Sequence, residues 1–214
     1  MNMRNVLLAI SVFSLSTLAF ADRPGQGRGP GHKAAKVQKW SHGGNGCPQN
    51  SVGTYISDDG QVFTLSFDQF AVKQGPTVAK EEGRKFCNIT VDLQIPDNWQ
   101  YTIGQVEYRG YANLDAKVKG EIRAEYRYPG AGGSARPMRA EFTGPVITDY
   151  LKSDVLETQS RGWSRCGKEN KGLEIRTEIQ VSGDSKATGL LTVDTVDGSF
   201  KQIYGIQWRP CAGK

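Results

Sequence analysis

The sequence predicts an all-β chain, folded as an antiparallel β-sandwich of roughly nine strands with little helix. Three observations carry that expectation. Apolar side chains recur at every second residue through most of 47–214, which is the period of a half-buried strand. Turn residues separate the runs at Asp58-Asp59-Gly60, Pro96-Asp97-Asn98, Ser182-Gly183-Asp184 and Asp197-Gly198, and an Asp-Gly pair between alternating runs is a strong hairpin signal. No segment sustains a helical period. The nearest, TDYLKSDVLETQ at 148–159, reads equally as a short helix or as a strand with a polar edge.

The alternation is explicit in each run. Phe63, Leu65 and Phe67 alternate with Thr64 and Ser66. Cys87, Ile89, Val91, Leu93 and Ile95 oppose Asn88, Thr90, Asp92 and Gln94. Val106, Tyr108 and Gly110 alternate with Glu107 and Arg109. Ile122, Ala124, Tyr126 and Tyr128 share one face, and Glu121, Arg123, Glu125 and Arg127 share the other. Leu173, Ile175, Thr177, Ile179 and Val181 oppose Glu174, Arg176, Glu178 and Gln180. Phe200, Tyr204, Ile206 and Trp208 close the series on one face. Two packed sheets would bury the apolar faces and leave the charged faces wet.

Ahead of this body lie two segments of different character. Residues 1–21 carry one charge, Arg4, then an apolar run from Val6 to Phe20 and a small-x-small end at Ala19-Phe20-Ala21. This is the pattern of a secretory signal peptide, and the run is shorter than the roughly 20 residues that span a bilayer. Cleavage after Ala21 leaves 193 residues beginning at Asp22, with no membrane span. Residues 22–46 contain seven glycines and few apolar side chains, so a disordered basic arm is expected. Its five cations against Asp22 give +4; with Arg4 this accounts for the net charge of +5, leaving residues 47–214 neutral. A nucleic-acid module would carry its charge as a patch on the folded surface, so nucleic acid is not expected as a partner.

Both histidines, His32 and His42, fall in the arm. Residues 47–214 therefore offer no Ser-His-Asp or Cys-His pair and no His-rich zinc site unless the arm folds back. The four cysteines are Cys47, Cys87, Cys166 and Cys211, widely spaced and without a C-x-x-C. In an exported chain they are expected as disulfides. Of three pairings, Cys47–Cys87 with Cys166–Cys211 is favoured, because it closes loops of similar size in the two halves. The expected location is secreted, periplasmic or at the cell surface.

Four blocks occur in order: GNGCP at 44–48, RKFCNITVDLQIPDNWQYTIGQVEYRGYANLD at 84–115, FTGP with a following DY at 142–150, and GWSRCG at 162–167. Together they resemble the secreted family known as domain of unknown function 4360, over about residues 44–212. The resemblance implies an exported, cysteine-containing, β-rich protein and supplies no activity to carry over. The chain departs from the pattern at Trp-Ser-Arg before Cys166, where Trp-Ser-Pro is expected, and in the basic arm.

The chemistry-bearing residues are weighed against ordinary structural roles. Asp58, Asp59, Asp92, Asp97, Asp194 and Asp197 match no calcium-loop spacing, and Asp-Gly turns account for Asp59 and Asp197. No metal and no cofactor is expected. Tyr108, Tyr126, Tyr128 and Trp208 fall on apolar faces and read as core. Trp99, after a turn, and Tyr111, on a charged face, are the aromatic candidates for a binding surface. The loop YPGAGGSARPMR at 128–139 lacks a phosphate-cradling pattern and adds Arg136 and Arg139 as candidates. Asn88-Ile89-Thr90 is a glycosylation sequon within a strand, and its use is not expected. Two functions follow. A non-enzymatic binding or surface-interaction module ranks first, with a surface polysaccharide or protein as partner. A polysaccharide hydrolase acting through two carboxylates ranks second, since nothing singles out a pair among the 21 acids beyond Asp22.

Overall fold

The structure is a computed structural model that describes residues 36–58, 60–129, 138–155, 162–167, 172–193 and 202–211. Two antiparallel sheets pack as a sandwich. The first is ordered β1 (Lys36–Gly43), β5 (Arg84–Gln94), β10 (Leu173–Gly183), β7 (Val118–Arg127) and β8 (Met138–Thr143). The second holds β2 (Val52–Ile56), β3 (Val62–Phe67), β12 (Gln202–Pro210), β6 (Trp99–Leu114), β11 (Gly189–Thr192) and β4 (Ala71–Gln74) in that order, with β9 (Val146–Val155) on the other side of β6. One 3-10 turn at Lys80–Gly83 leads into β5.

Twelve strands are described where roughly nine are expected. The excess lies partly in β4 and β11, at four residues each too short to display an alternation. It also includes β1, which falls inside the segment expected to be a disordered arm. β1 pairs with β5 through a bulge between Val37 and Lys39. The bulge lets Val37 and Trp40, three residues apart, share the inner side, and both pack on the core. An alternation broken in this way does not read as a strand. Residues 22–35 of the expected arm and the signal segment lie outside the described residues. The ambiguous 148–159 stretch is strand through Val155; its remainder lies outside the described residues.

The core is the set of inner residues the alternation marks. Ile89, Val91, Ile122, Ala124, Tyr126, Ile175 and Ile179 of one sheet face Phe63, Leu65, Phe67, Tyr101, Ile103, Val106 and Tyr108 of the other, all buried. Each fully buried large apolar side chain contributes about 1.5–3 kcal/mol. The Tyr108 and Tyr126 hydroxyls hydrogen-bond to one another across the sandwich. The Tyr128 hydroxyl accepts the Ile103 N–H at 2.7 Å. Tyr101 lies edge-on to Tyr128 at 5.6 Å. Burial, then the neighbouring Tyr128 and Asp92, push its phenol well above the ordinary value. A register shift at Gly205/Ile206 lets Tyr101 and Ile103, then Val106 and Tyr108, all face inward along β6.

Both disulfides pair as expected, Cys47 with Cys87 and Cys166 with Cys211. In β9, Tyr150 crosses over Gly110 and donates its hydroxyl to the Thr192 carbonyl. A Cβ at 110 would collide with that carbonyl and with the Tyr150 ring. Two residues on, Lys152 sets its ammonium 5.2 Å from the Phe142 ring centroid, at the seam between β9 and β8.

Candidate functional site

The outer face of the five-stranded sheet is built of cross-strand rows set by the register. Arg84, Gln180, Glu121 and Glu141 form the first row; Phe86, Glu178, Arg123 and Arg139 form the second. Asn88, Arg176 and Glu125 form the third; Thr90, Glu174 and Arg127 form the fourth.

The first two rows are closed by ion pairs. Arg84 holds Glu178 through two nitrogens, each at 2.9 Å. Glu121 takes Arg123 and, at 2.8 Å, Arg139, which also reaches Glu141 at 2.7 Å. These diagonal bonds offset the like charges that the register sets opposite one another, Glu121 with Glu141 and Arg123 with Arg139. Partial burial pushes the Glu121 carboxyl up, but the Arg123 and Arg139 guanidiniums outweigh it, and its pKa lies below the ordinary value.

The third and fourth rows are different. Among the described residues, Glu125, Arg127 and Glu174 make no ion pair and no hydrogen bond, although Glu174 stands opposite Arg127. Arg176 is held loosely, 3.8 Å from Glu178, 3.5 Å from the Asn88 amide oxygen and 5.1 Å from the centre of the Phe86 ring. Between these side chains lies an open groove of about 520 Å³ across β5, β10 and β7, lined by Asn88, Thr90, Glu125, Arg127, Glu174 and Arg176 with the edges of Ile89 and Ile175. Its walls present carboxylate acceptors, guanidinium donors, an amide and a hydroxyl. Two acids and two arginines leave it without net charge.

Of the residues expected from sequence, the three that are described, Trp99, Tyr111 and Arg139, do not line this groove. Trp99 begins β6 on the inner side and packs half-buried against the core. Tyr111 lies half-buried on the outer side of the same strand, its N–H donating to the Thr192 hydroxyl at 3.0 Å. The two stand twelve residues apart on β6, roughly 40 Å of strand, and face opposite sides. Arg139 sits on the other sheet in the ion-paired rows. Arg136 lies outside the described residues. The groove's own residues sit on strand faces that the alternation identified as outward; which of those charges would remain unpaired depends on register. His42, expected outside the folded part, lies in β1, stacked on Trp40 at 5.1 Å with Nδ1 3.0 Å from the Cys47 carbonyl.

Residues 33–211 match the family model described as Domain of unknown function (DUF4360). The match begins ahead of the first quoted block and takes in β1. An uncharacterized secreted protein of Arthroderma benhamiae is 36% identical over 195 residues, covering 89% of this chain and 79% of that protein. That kinship and the two disulfides agree on an oxidising, extracellular location. Among solved structures, the module TmCBM61 in complex with β-1,4-galactotriose aligns with a TM-score of 0.22 and 12% identity, covering 88% of this chain and 99% of that one. A family 11 carbohydrate-binding module from Clostridium thermocellum aligns with a TM-score of 0.23 and 8% identity, covering 84% and 93%. Scores this low carry no argument about ligand or activity. No helix among the described residues is long and apolar enough to cross a membrane.

Proposed function

This chain belongs to the DUF4360 family, and we propose that it is a secreted, non-enzymatic binding module that holds a surface polysaccharide in the groove across β5, β10 and β7. The observation behind this reading is the group of charged groove residues, Glu125, Arg127 and Glu174, that have no partner among the described residues. Sugar hydroxyls donate and accept, and they match a wall that offers both. A neutral wall favours an uncharged, hydroxyl-rich chain over a polyanion, which would call for clustered cations. The groove lies open on a sheet face, which suits an extended polymer better than an enclosed small molecule.

A hydrolase reading has one observation in its favour. Glu125 and Glu174 are unpaired carboxylates at diagonal positions of β7 and β10, about 7–8 Å apart between backbones, near the spacing of inverting acid pairs. Binding ranks ahead because Glu174 is exposed and no wall among the described residues excludes water from the pair.

The test is titration of the mature protein, residues 22–214, against a panel of soluble neutral polysaccharides, with reducing-end release measured in parallel. Arg127→Ala and Glu174→Ala are expected to weaken binding about tenfold or more with the thermal transition kept, and Arg123→Ala to leave affinity unchanged. Undiminished binding by both groove variants, with loss in Trp99→Ala or Tyr111→Ala, would move the site to the aromatic positions. Release of reducing ends that Glu125→Gln abolishes would establish the hydrolase.

A further inference from the structure

The GWSRCG block does not contribute to the groove. Its residues 162–164 run along β6 in the second sheet. The Ser164 N–H donates to the Tyr101 carbonyl at 2.9 Å, and the Ser164 hydroxyl accepts the Tyr101 N–H at 3.0 Å. The Thr102 hydroxyl donates to the Gly162 carbonyl at 2.7 Å, and the Gln100 amide donates to the Ser164 carbonyl at 2.8 Å. The Cys166–Cys211 bridge then ties this segment to the end of β12. Ser164 is buried. Trp163, beside it, is half-buried and accessible from the outer face.

Arg209 of β12 stands opposite Gln100 of β6. It reaches across that strand to lay its guanidinium 4.0 Å from the centre of the Trp163 ring. Its Nε donates to the Gln100 side-chain oxygen at 3.0 Å. The ring sets the plane of the guanidinium, and Gln100 holds it at the Nε edge. Its two terminal nitrogens have no partner among the described residues. With Nε occupied, the edge that remains is the terminal pair, which forms two parallel N–H···O bonds to a planar carboxylate. Fixing the fork beforehand removes the ordering loss that a free arginine suffers on binding.

We propose that Trp163, Arg209 and Gln100 form a second binding site, separate from the groove, which takes the carboxylate of a uronic-acid sugar. One guanidinium matches a single negative charge. The guanidinium covers the indole face it stacks on, so the exposed rim of the half-buried ring is the apolar surface left for the C–H side of a sugar ring. The site lies on the opposite sheet from the groove, so its failure and the failure of the groove reading are separable.

The test uses mature protein titrated with a galacturonic acid trimer and with the same trimer methyl-esterified, followed by calorimetry. The acid is expected to bind, and the ester to bind about tenfold more weakly or not at all. Arg209→Lys keeps the charge and removes the fork, and is expected to lose about tenfold in affinity for the acid. Gln100→Ala keeps charge and fork but frees the Nε edge, and is expected to lose about threefold. Binding of neutral polysaccharides to the groove should be unchanged in both variants. The proposal is overturned if neither trimer binds, if the ester binds as well as the acid, or if Arg209→Lys binds as wild type does.

Discussion

Two halves of the same sheet face carry the same alternation of Glu and Arg and behave differently. Along β7, Glu121 and Arg123 are locked into ion pairs, whereas Glu125 and Arg127 have no partner among the described residues. The difference comes from the length of the neighbouring strand. β8 pairs with β7 from Lys119 to Ala124, so Arg123 lies between Glu178 and Arg139, and Glu121 gains Arg139 of β8 as a second cation. Beyond Ala124 only β10 flanks β7 among the described elements, and the charges there stay open. A period-two charge pattern is therefore inert or available according to where its neighbour stops.

The largest effect that bears on this comparison comes from the bridge beneath it. Cys87 lies on the inner side of β5 opposite Thr177, between the two halves. Replacing Cys47 and Cys87 together by Ser releases a loop with a sequence separation of 40. Loop-closure entropy then predicts a loss of about 4 kcal/mol in unfolding free energy, readable by denaturant titration. Polysaccharide binding should persist below the lowered transition; its loss at a temperature where the circular dichroism is native would tie the groove to the bridge.

A smaller change converts the open half into the closed kind. Thr90 stands next to Glu174 in the fourth row. Thr90→Arg supplies the missing partner and fills the groove. It should weaken polysaccharide binding about tenfold and shift stability by no more than about 0.5–1 kcal/mol, the scale of an exposed pair. Unchanged affinity would mean that the groove is not the contact surface.

The smallest effect is in acid. The folded-state pKa of Glu121 is lowered, so its pairing contributes stability above the ordinary carboxylate value of 4.5 and loses it as pH falls through the folded value. Thermal unfolding from neutral pH down through that window should fall more steeply for wild type than for Glu121→Gln, by about 1–2 °C. Parallel curves would show that the closed half contributes nothing as a pair.

Much of the architecture was legible from residue order. The alternation of Ile122, Ala124 and Tyr126 with Arg123 and Glu125 marks inside and outside correctly, because burial on one face enforces it. The wide cysteine spacing in an exported chain indicated disulfides, and the pairing follows the two halves. What stayed hidden depends on register. β1 was concealed by a bulge that sets Val37 and Trp40 three residues apart on one side. The openness of Glu125, Arg127 and Glu174 depends on which strand lies beside which, and for how long, and no local pattern records that. Trp99 follows a turn, and the place it takes in β6, half-buried against the core, is set by register and not by that turn.

Lys152 has a consequence beyond its contact with Phe142. β9 is a ten-residue strand that pairs on one side, with β6, among the described elements, and it exposes Ile147 and Leu151. Such a strand is a template on which a foreign strand can grow. An incoming strand that closed the seam would have to strip water from the ammonium without offering it a counter-charge. A lysine at this rim is the kind of charge that opposes edge-to-edge pairing beside the exposed Ile147 and Leu151, and Lys152→Ala is expected to lower the concentration at which the protein begins to aggregate, as read by light scattering.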